Sequence, residues 1–538
     1  SEELLVEVLR ALIENALKYT PPHGQVRLLV AREESDVARI SVGDSGPGVP
    51  DAERTRIFDP FYRVAVPGAP SSGGAGLGLA LVRALVESCN GTVRAGSSDL
   101  GGAEFVVDLP AAEAPAEEQP AETSPRLRVV IIGGVAAGPK VASKVMRLQP
   151  DAEVTIIERG ELLSYAGCGM PYYVSGTVRD RRALLSTPLG AVRDPIFFHN
   201  LRNVSVLSRT EAVELDRRGR RVRIRDLADG TERWIPYDRL VLATGARPVV
   251  PELPGRHLRN IYTLHGVHDA EGIRHALAGE RALDVVLVGG GLIAVEMTKA
   301  LAQRGCRITI LERMPQILSM LDEEMSRLIQ QHLEANGVRV LTGVQVQGFR
   351  GDEVVRAVLT DRGEIPADLV VLAAGVRPET SLARAAGLAI GPTGGIVVDE
   401  HQRTSDPNIY AAGDCVEHYD LLTGRPAYVP LGSTANKQGR VAAVHLCGGD
   451  DRFPGILGTV LCQVFEYCVG RTGLTEREAR ELGRDVVTVL CAAPDREHFL
   501  PGARLLMLKL VVERATRRLL GVQAIGPGEG DKRIDVAA

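Results

Sequence analysis

Cys168 stands in the string SYAGCGMPYY, residues 164–173, with a glycine on either side. Glycine lets backbone approach a flat ring closely. A cysteine beside a helix N-terminus has its thiolate stabilised, and the thiolate is the form that attacks sulfur. Taken alone, Cys168 reads first as a small buried apolar residue. The other seven cysteines are scattered. Cys415 lies beside the acidic turn at Asp414, and the spacing of Cys462 and Cys468 suits no common metal site.

Two glycine turns could hold phosphates. LRVVIIGG leads to Gly133, Gly134 and Gly138, a variant of G-x-G-x-x-G with Val135 at the middle glycine's place. DVVLVGGG leads to Gly289 and Gly291, with Ala294 for the third glycine and Glu296 behind it. Each is followed by a strand-like run ending in an acid, Glu158 and Glu312. An acid there can hydrogen-bond a ribose 2′-OH, and it would repel a 2′-phosphate. One such turn is equally a tight strand–helix connection; two, each with its acid, point to two nucleotides. VLATGARP at 241–248 and VLAAGVRP at 371–378 form a second echo. Two βαβ units, the second inserted in the first, give this order. In IYAAGDC, residues 409–415, Asp414 follows a strand and can accept from a ribityl hydroxyl.

The first 110 residues carry a different set. Leu4, Leu5, Val8, Leu12, Ala16 and Leu17 have helical spacing, with Glu14, Asn15 and Lys18 among them. Asp44, Gly46 and Gly48 form a D-x-G-x-G turn, FDPFYR follows, and a glycine loop from Gly73 runs into a helical pattern. Such a loop suits phosphate held on backbone N–H groups. PAAEAPAEEQPAETSP at 110–125 cannot build a core and reads as a solvated linker.

Composition sets the frame. The chain has 538 residues, 45% apolar and 24% charged, as ordinary globular proteins do. Lys plus Arg is 63 and Asp plus Glu 68, so the charge is 63 − 68 = −5, with no basic footprint for nucleic acid. No apolar run reaches the roughly 20 residues of a membrane span. Ser1–Leu4 has no leader pattern, so the expected location is cytoplasmic.

Residues 1–110 resemble the ATP-binding domain of sensor histidine kinases. The likeness implies Mg²⁺ on Asn15, Glu14 and Lys18 near the phosphates, and adenine read by Asp44. Gly46, Gly48, Gly76 and Gly78 would shape the turn and lid. No phosphoacceptor hairpin precedes Ser1, and His23, in a Pro-Pro-His-Gly turn, is a poor acceptor. ATP binding without autophosphorylation is the expectation.

Residues 127–538 resemble the pyridine nucleotide–disulfide oxidoreductases. The resemblance implies FAD on Gly133, Gly134, Ala136, Ala137, Gly138, Glu158, Arg159, Ser164, Ala243, Thr244, Gly245, Gly413 and Asp414. It implies NADH, or NADPH, on Gly289, Gly290, Gly291, Leu292, Ile293, Glu296, Glu312, Arg313, Ala374 and Gly375. The carboxylate of Glu312 favours NADH; Arg313 beside it softens that preference. The expected class is α/β: a kinase-type ATPase α/β sandwich at 1–110, a linker at 111–125, Rossmann-like FAD and NAD(P) domains at 126–253 with 365–430 and at 254–364, and a truncated α+β dimerisation domain at 431–538.

The lone cysteine motif lacks the C-x₄-C pair of glutathione-type enzymes. It resembles the branch of NADH oxidases, CoA-disulfide reductases and sulfur or polysulfide reductases. The first turn, GGVAAG, lacks the histidine of the oxidases. The implied reaction is reduction of a small-molecule disulfide or polysulfide by NAD(P)H in a homodimer, with Cys168 as nucleophile and CoA as its mixed-disulfide partner. Lys144 and Arg147 match positions that meet CoA phosphates, or are plain solvated charges. The alternatives are an NADH oxidase and a redox-sensing kinase fusion. In the third domain HFLPG puts Phe499 and Leu500 where CoA-disulfide reductases carry a tyrosine, so the acid role passes to water or another group. Leu292 replaces an aromatic, and Ala294 a glycine.

Overall fold

The computed structural model describes residues 2–21, 24–33, 37–59, 62, 78–110, 126–188, 190–279 and 281–538. Two compact units result, Ser1–Ser124 and Pro125–Ala538. The linker calls at 111–125, and those on Gly76 and His23, lie outside the described residues.

In the first unit, Val8, Leu12 and Ala16 recur every four residues on helix Glu2–Tyr19 and are buried. They pack with Val82 and Val86 of helix Gly78–Ser88 against Ile40, Val42, Phe105 and Val107 of one sheet face. The sheet is antiparallel, ordered Val26–Glu33, Val37–Asp44, Ala103–Pro110, Thr92–Ser97.

The second unit contains the same plan twice. Its first sheet is parallel, ordered Ile409–Ala411, Arg239–Leu242, Arg128–Ile132, Glu153–Ile157, Val204–Leu207. These short runs are apolar on both faces, as buried parallel strands must be. Helices Ala137–Leu148 and Gly432–Leu446 cover one face; the other shares a core with a three-stranded antiparallel sheet that supplies Leu215, Val222 and Ile224. The second parallel sheet is ordered Ile261–Tyr262, Leu369–Leu372, Asp284–Val288, Arg307–Glu312, Arg339–Thr342, and it too has a three-stranded companion. Ala246–Pro248 pairs with Val376–Pro378 where the chain leaves and re-enters the first module.

Two boundaries differ from the sequence reading. Leu369–Leu372 pairs with Asp284–Val288, so the second module runs on past 364 and the chain returns to the first after about residue 378. Each VLAxG echo ends an interior strand of its own module's sheet. Helix Gly432–Leu446 belongs to the first module, because Ala442, Ala443 and Leu446 share a core with Val141 and Val145. The third domain is a five-stranded antiparallel sheet, Val460–Val464, Tyr467–Gly473, Leu519–Gly526, Leu505–Glu513, Val486–Pro494, with helix Gly530–Ala537 on it.

Candidate active site and nucleotide-binding turns

The two glycine turns are near-copies. Gly133 has φ +112° and Gly289 φ +111°. A Cβ on Gly133 would lie 2.1 Å from the Ala243 carbonyl oxygen, and one on Gly289 2.3 Å from that of Ala373. Only glycine fits both the angle and the gap. Glu158 Oε2 accepts from the Gly134 N–H at 2.6 Å, and Glu312 Oε2 from the Gly290 N–H at 2.5 Å. Their second oxygens accept from Gly160 N–H at 2.6 Å and Met314 N–H at 2.7 Å. Ser164 N–H bonds the Gly134 carbonyl and Leu318 N–H that of Gly290, each at 2.8 Å, and both residues have positive φ, +47° and +42°.

Helices Ala137–Leu148 and Leu292–Ala302 both start without a side-chain cap, at Ala136 and Gly291. Their first N–H groups therefore remain open to a phosphate. Gly138 lets the first helix sit on its turn, since a Cβ there would meet the Gly133 carbonyl oxygen at 1.9 Å. Ala294 fills the matching place in the second helix and is fully buried. Leu292 and Ile293 are half-buried; Arg159 and Arg313 are exposed beside their acids. Thr244 Oγ1 donates to the Glu379 carbonyl at 2.6 Å, and Gly245 and Gly375 carry positive φ of +70° and +96°. Ala374 is exposed beside Gly375.

Asp414 follows strand Ile409–Ala411, and burial pushes its carboxyl up to about 6. Its turn is held from behind: Gly413 N–H donates to Gln438 Oε1 at 2.9 Å, and Gln438 Nε2 donates to His418 Nδ1 at 2.8 Å. Burial holds His418 down at about 4, so it stays neutral and accepts. Cys415 is buried with its thiol on the Leu242 carbonyl, 3.4 Å away. A desolvated carboxyl, next to a glycine turn at φ +88°, fits a flavin dinucleotide with its ribityl hydroxyls on Asp414.

Cys168 is exposed, in a short turn Gly167–Gly169 that runs into helix Met170–Ser175. It opens on a cleft of about 160 Å³. Pro171, Tyr172 and Thr177 share its wall; Glu296 and Lys299 of helix Leu292–Ala302, with Gln303 just past its end, face it, and Gln463 of the third domain closes one side. Lys299 Nζ donates to the Phe465 carbonyl at 3.0 Å, tying that helix to the third domain. Burial raises the Glu296 carboxyl above the usual range, against the pull of the Gln463 backbone hydrogen bond. No second cysteine lines the cleft among the described residues. Sequence reading gave Glu296 to the second nucleotide and missed Gln463; the cleft brings both to Cys168. Only the position of Glu296 on the face with Lys299 and Gln303 signalled this.

Lys144 and Arg147 lie on helix Ala137–Leu148, half-buried and exposed. Lys140, one turn earlier, was missed, although the spacing 140, 144, 147 marks one helix face. Burial lowers Lys140, with Arg440 and Arg147 adding to it; burial and Arg147 lower Arg202. Cations crowded in this way fit an anion.

In the first unit, Asp44 is buried and its Oδ1 accepts from Gly46 N–H at 2.8 Å and Ala103 N–H at 3.1 Å. A Cβ on Gly46 would lie 2.7 Å from the Tyr19 carbonyl oxygen, and Gly48 has φ +74°. Asn15 is half-buried, Lys18 exposed, and Gly78 opens its helix with nothing near its Cβ position. Of Glu14 only the helical backbone is described.

Comparison with known proteins agrees with this duplicated architecture. The profile of the pyridine nucleotide-disulphide oxidoreductases matches residues 127–439 and that of their dimerisation domain residues 460–538. Residues 1–113 match the histidine kinase-, DNA gyrase B- and HSP90-like ATPases. The chain is 40% identical over 411 residues to an NAD(P)H sulfur oxidoreductase (CoA-dependent) of Pyrococcus abyssi, covering 76% of this chain and 89% of that one. It is 39% identical over 413 residues to an NAD(P)H coenzyme A polysulfide/persulfide reductase of Pyrococcus horikoshii, covering 76% and 90%. Among solved structures it is similar to an NAD-dependent persulfide reductase from A. fulgidus, with TM-score 0.74, 42% identity and 76% of each chain covered. The chain belongs to the pyridine nucleotide-disulphide oxidoreductases. It is an FAD-dependent enzyme that draws on NAD(P)H.

Proposed function

We propose that residues 127–538 reduce a disulfide or polysulfide through Cys168, with FAD in the first dinucleotide module and NADH in the second. One observation carries this reading: Cys168 is exposed in a cleft walled by the second module's helix, with no other cysteine lining it. A resolving thiol cannot come from the cleft itself, so the sulfur intermediate is a mixed disulfide with an outside thiol. Bound in these turns, NADH and FAD together supply an electron pair. Cys168 supplies the thiolate that attacks substrate sulfur. The glycines of its turn let backbone close on the flavin ring, and Asp414 accepts from the ribityl chain. Glu312 selects against a 2′-phosphate.

The exposed thiol and the basic face Lys140, Lys144, Arg147 support CoA as the partner thiol, with its phosphates on those side chains. Homodimerisation through 460–538 is supported by apolar side chains left exposed on that sheet, among them Val489, Leu490 and Leu505. For residues 1–110, the buried, backbone-aligned carboxylate of Asp44 supports adenine recognition, with Asn15 holding Mg²⁺ for ATP. Eight free cysteines suit a reducing, cytoplasmic setting.

Anaerobic stopped-flow tests the central claim. NADH-reduced enzyme is mixed with CoA disulfide or polysulfide, beside Cys168→Ser. Rapid flavin reoxidation by a sulfur compound, lost in the variant, is expected. Reoxidation by oxygen alone would overturn the sulfur reading in favour of an oxidase.

A further inference from the structure

The Gly413 N–H can only donate, so the group it faces must accept. That group is Gln438 Oε1, 2.9 Å away on helix Gly432–Leu446. The orientation of the amide follows. Its Nε2 points the other way, at His418 Nδ1, 2.8 Å off. Nδ1 therefore has to be the bare nitrogen of a neutral ring. The proton sits on the other ring nitrogen, and the Val429 backbone hydrogen-bonds the ring. Gln438 is 0% exposed and His418 3%, so solvent is not at hand to replace either partner. The donor–acceptor choices thus run in one direction, from His418 to the turn that carries Asp414. The charged neighbour of the ring is Glu417, whose carboxylate accepts from the Thr393 N–H at 2.9 Å and hydroxyl at 2.7 Å. The Phe453 ring packs edge-on to it and carries no charge. Asp414 and Tyr428 are the titratable groups of the turn itself, and burial pushes both up; the Tyr428 hydroxyl donates to the Asp414 carbonyl at 3.0 Å.

We propose that His418 is a positioning residue for the flavin: through Gln438 it holds the Asp414 turn in its binding form, and a proton on His418 opens that turn and releases the flavin. The proposal rests on the reading of Asp414 as acceptor for the ribityl hydroxyls. A protonated ring carries an N–H on both nitrogens, so two donors meet at Gln438 Nε2. Turning the amide over satisfies the ring but sets Nε2 against the Gly413 N–H. Either way one buried donor loses its acceptor. In the closed turn burial already holds the ring down at about 4. An opened turn returns it toward its ordinary value of 6.5. Flavin affinity is therefore complete above pH 6.5 and is lost as pH falls toward 4.

The dissociation constant of FAD is measured on the full chain by flavin fluorescence, from about pH 7 to about pH 4.5. Far-ultraviolet circular dichroism limits the range to conditions in which the chain stays folded. Asp414 also titrates at this turn, so each comparison is repeated in D414N. The constant is expected to rise at least about tenfold on acidification in wild type and in D414N, and to stay flat in D414N/H418N. H418L leaves Gln438 without an acceptor and is expected to bind FAD about tenfold more weakly already at neutral pH. H418N restores an acceptor oxygen and is expected to recover most of that loss. Backbone amide exchange over residues 412–414 of the holoenzyme reads the turn directly. Its protection is expected to fall on acidification in wild type and to hold in H418N. A rise in the constant that is the same with and without the His418 substitution overturns the proposal, as does turn protection that wild type keeps at acid pH. D414N protein that binds FAD as tightly as wild type at neutral pH overturns the reading of Asp414 alone. If D414N holds no flavin, that reading stands, and the exchange comparison of wild type with H418N decides the role of His418.

Discussion

Gly133 has no room for even one more carbon. Gly133→Ala sets a methyl 2.1 Å from the Ala243 carbonyl oxygen at φ +112°. The substitution should cost at least about 3 kcal/mol. Denaturant midpoints and the flavin-to-protein absorbance ratio should both drop. Glu312 is the lever on cofactor choice: Glu312→Ser should lower the preference for NADH over NADPH about tenfold, near 1.4 kcal/mol, read as the ratio of kcat/KM values. His418 sets a pH dependence. Its unfolded value is 6.5 and its folded value about 4. Its contribution is therefore complete above pH 6.5 and is lost as pH falls toward 4, by about 3 kcal/mol at most. His418→Asn keeps an acceptor for Gln438 and removes the titration, so its thermal stability against pH should lack that acid fall. Asp414 slopes the other way, and comparing the variant with wild type isolates His418. Gly133, Glu158, Asp414 and Cys168 could all be read from the chain, because a strand, a turn and a helix lie next to one another in it. Gln438 could not, since its bonds to Gly413 and His418 span 25 and 20 residues.

Between elements, close approach and buried charge do the holding. Gly439 on helix Gly432–Leu446 faces the Ala137 carbonyl oxygen, 2.8 Å from where its Cβ would be. That contact explains why this helix stays with the first module. The join between second module and third domain has an apolar core, to which Val464, Val469 and Ile525 contribute, and a polar hub beside it. Lys509 is 2% exposed, with Asp322 at 3.0 Å, Glu476 at 2.8 Å and Glu324 also on its Nζ. Gln523 Nε2 donates to Asp322 at 2.6 Å. Lys509→Ala leaves Asp322 buried without its cation and should cost about 3–5 kcal/mol. Urea unfolding should show the loss, and Cys168 alkylation should quicken as Gln463 loosens from the cleft. The strand and helix types followed from periodicity. This hub did not, because 185 residues separate Lys509 from Glu324, and a lone lysine in an apolar strand carries no sign of its partners.

On the scale of the whole chain, the two units each close their own core, and the Pro/Ala/Glu run between them has no apolar residues larger than alanine to bury. Proteolysis at that run should leave flavin reduction by NADH unchanged. The third domain is different, since its sheet exposes Val489 by 47% and Leu505 by 57%. Val489→Asp with Leu505→Asp should convert a dimer to monomers by light scattering. Glu158 and Glu312 each hold two backbone N–H groups around their own glycine turns. Each carboxylate thus acts as a stake for its turn, and losing it should loosen the dinucleotide held there.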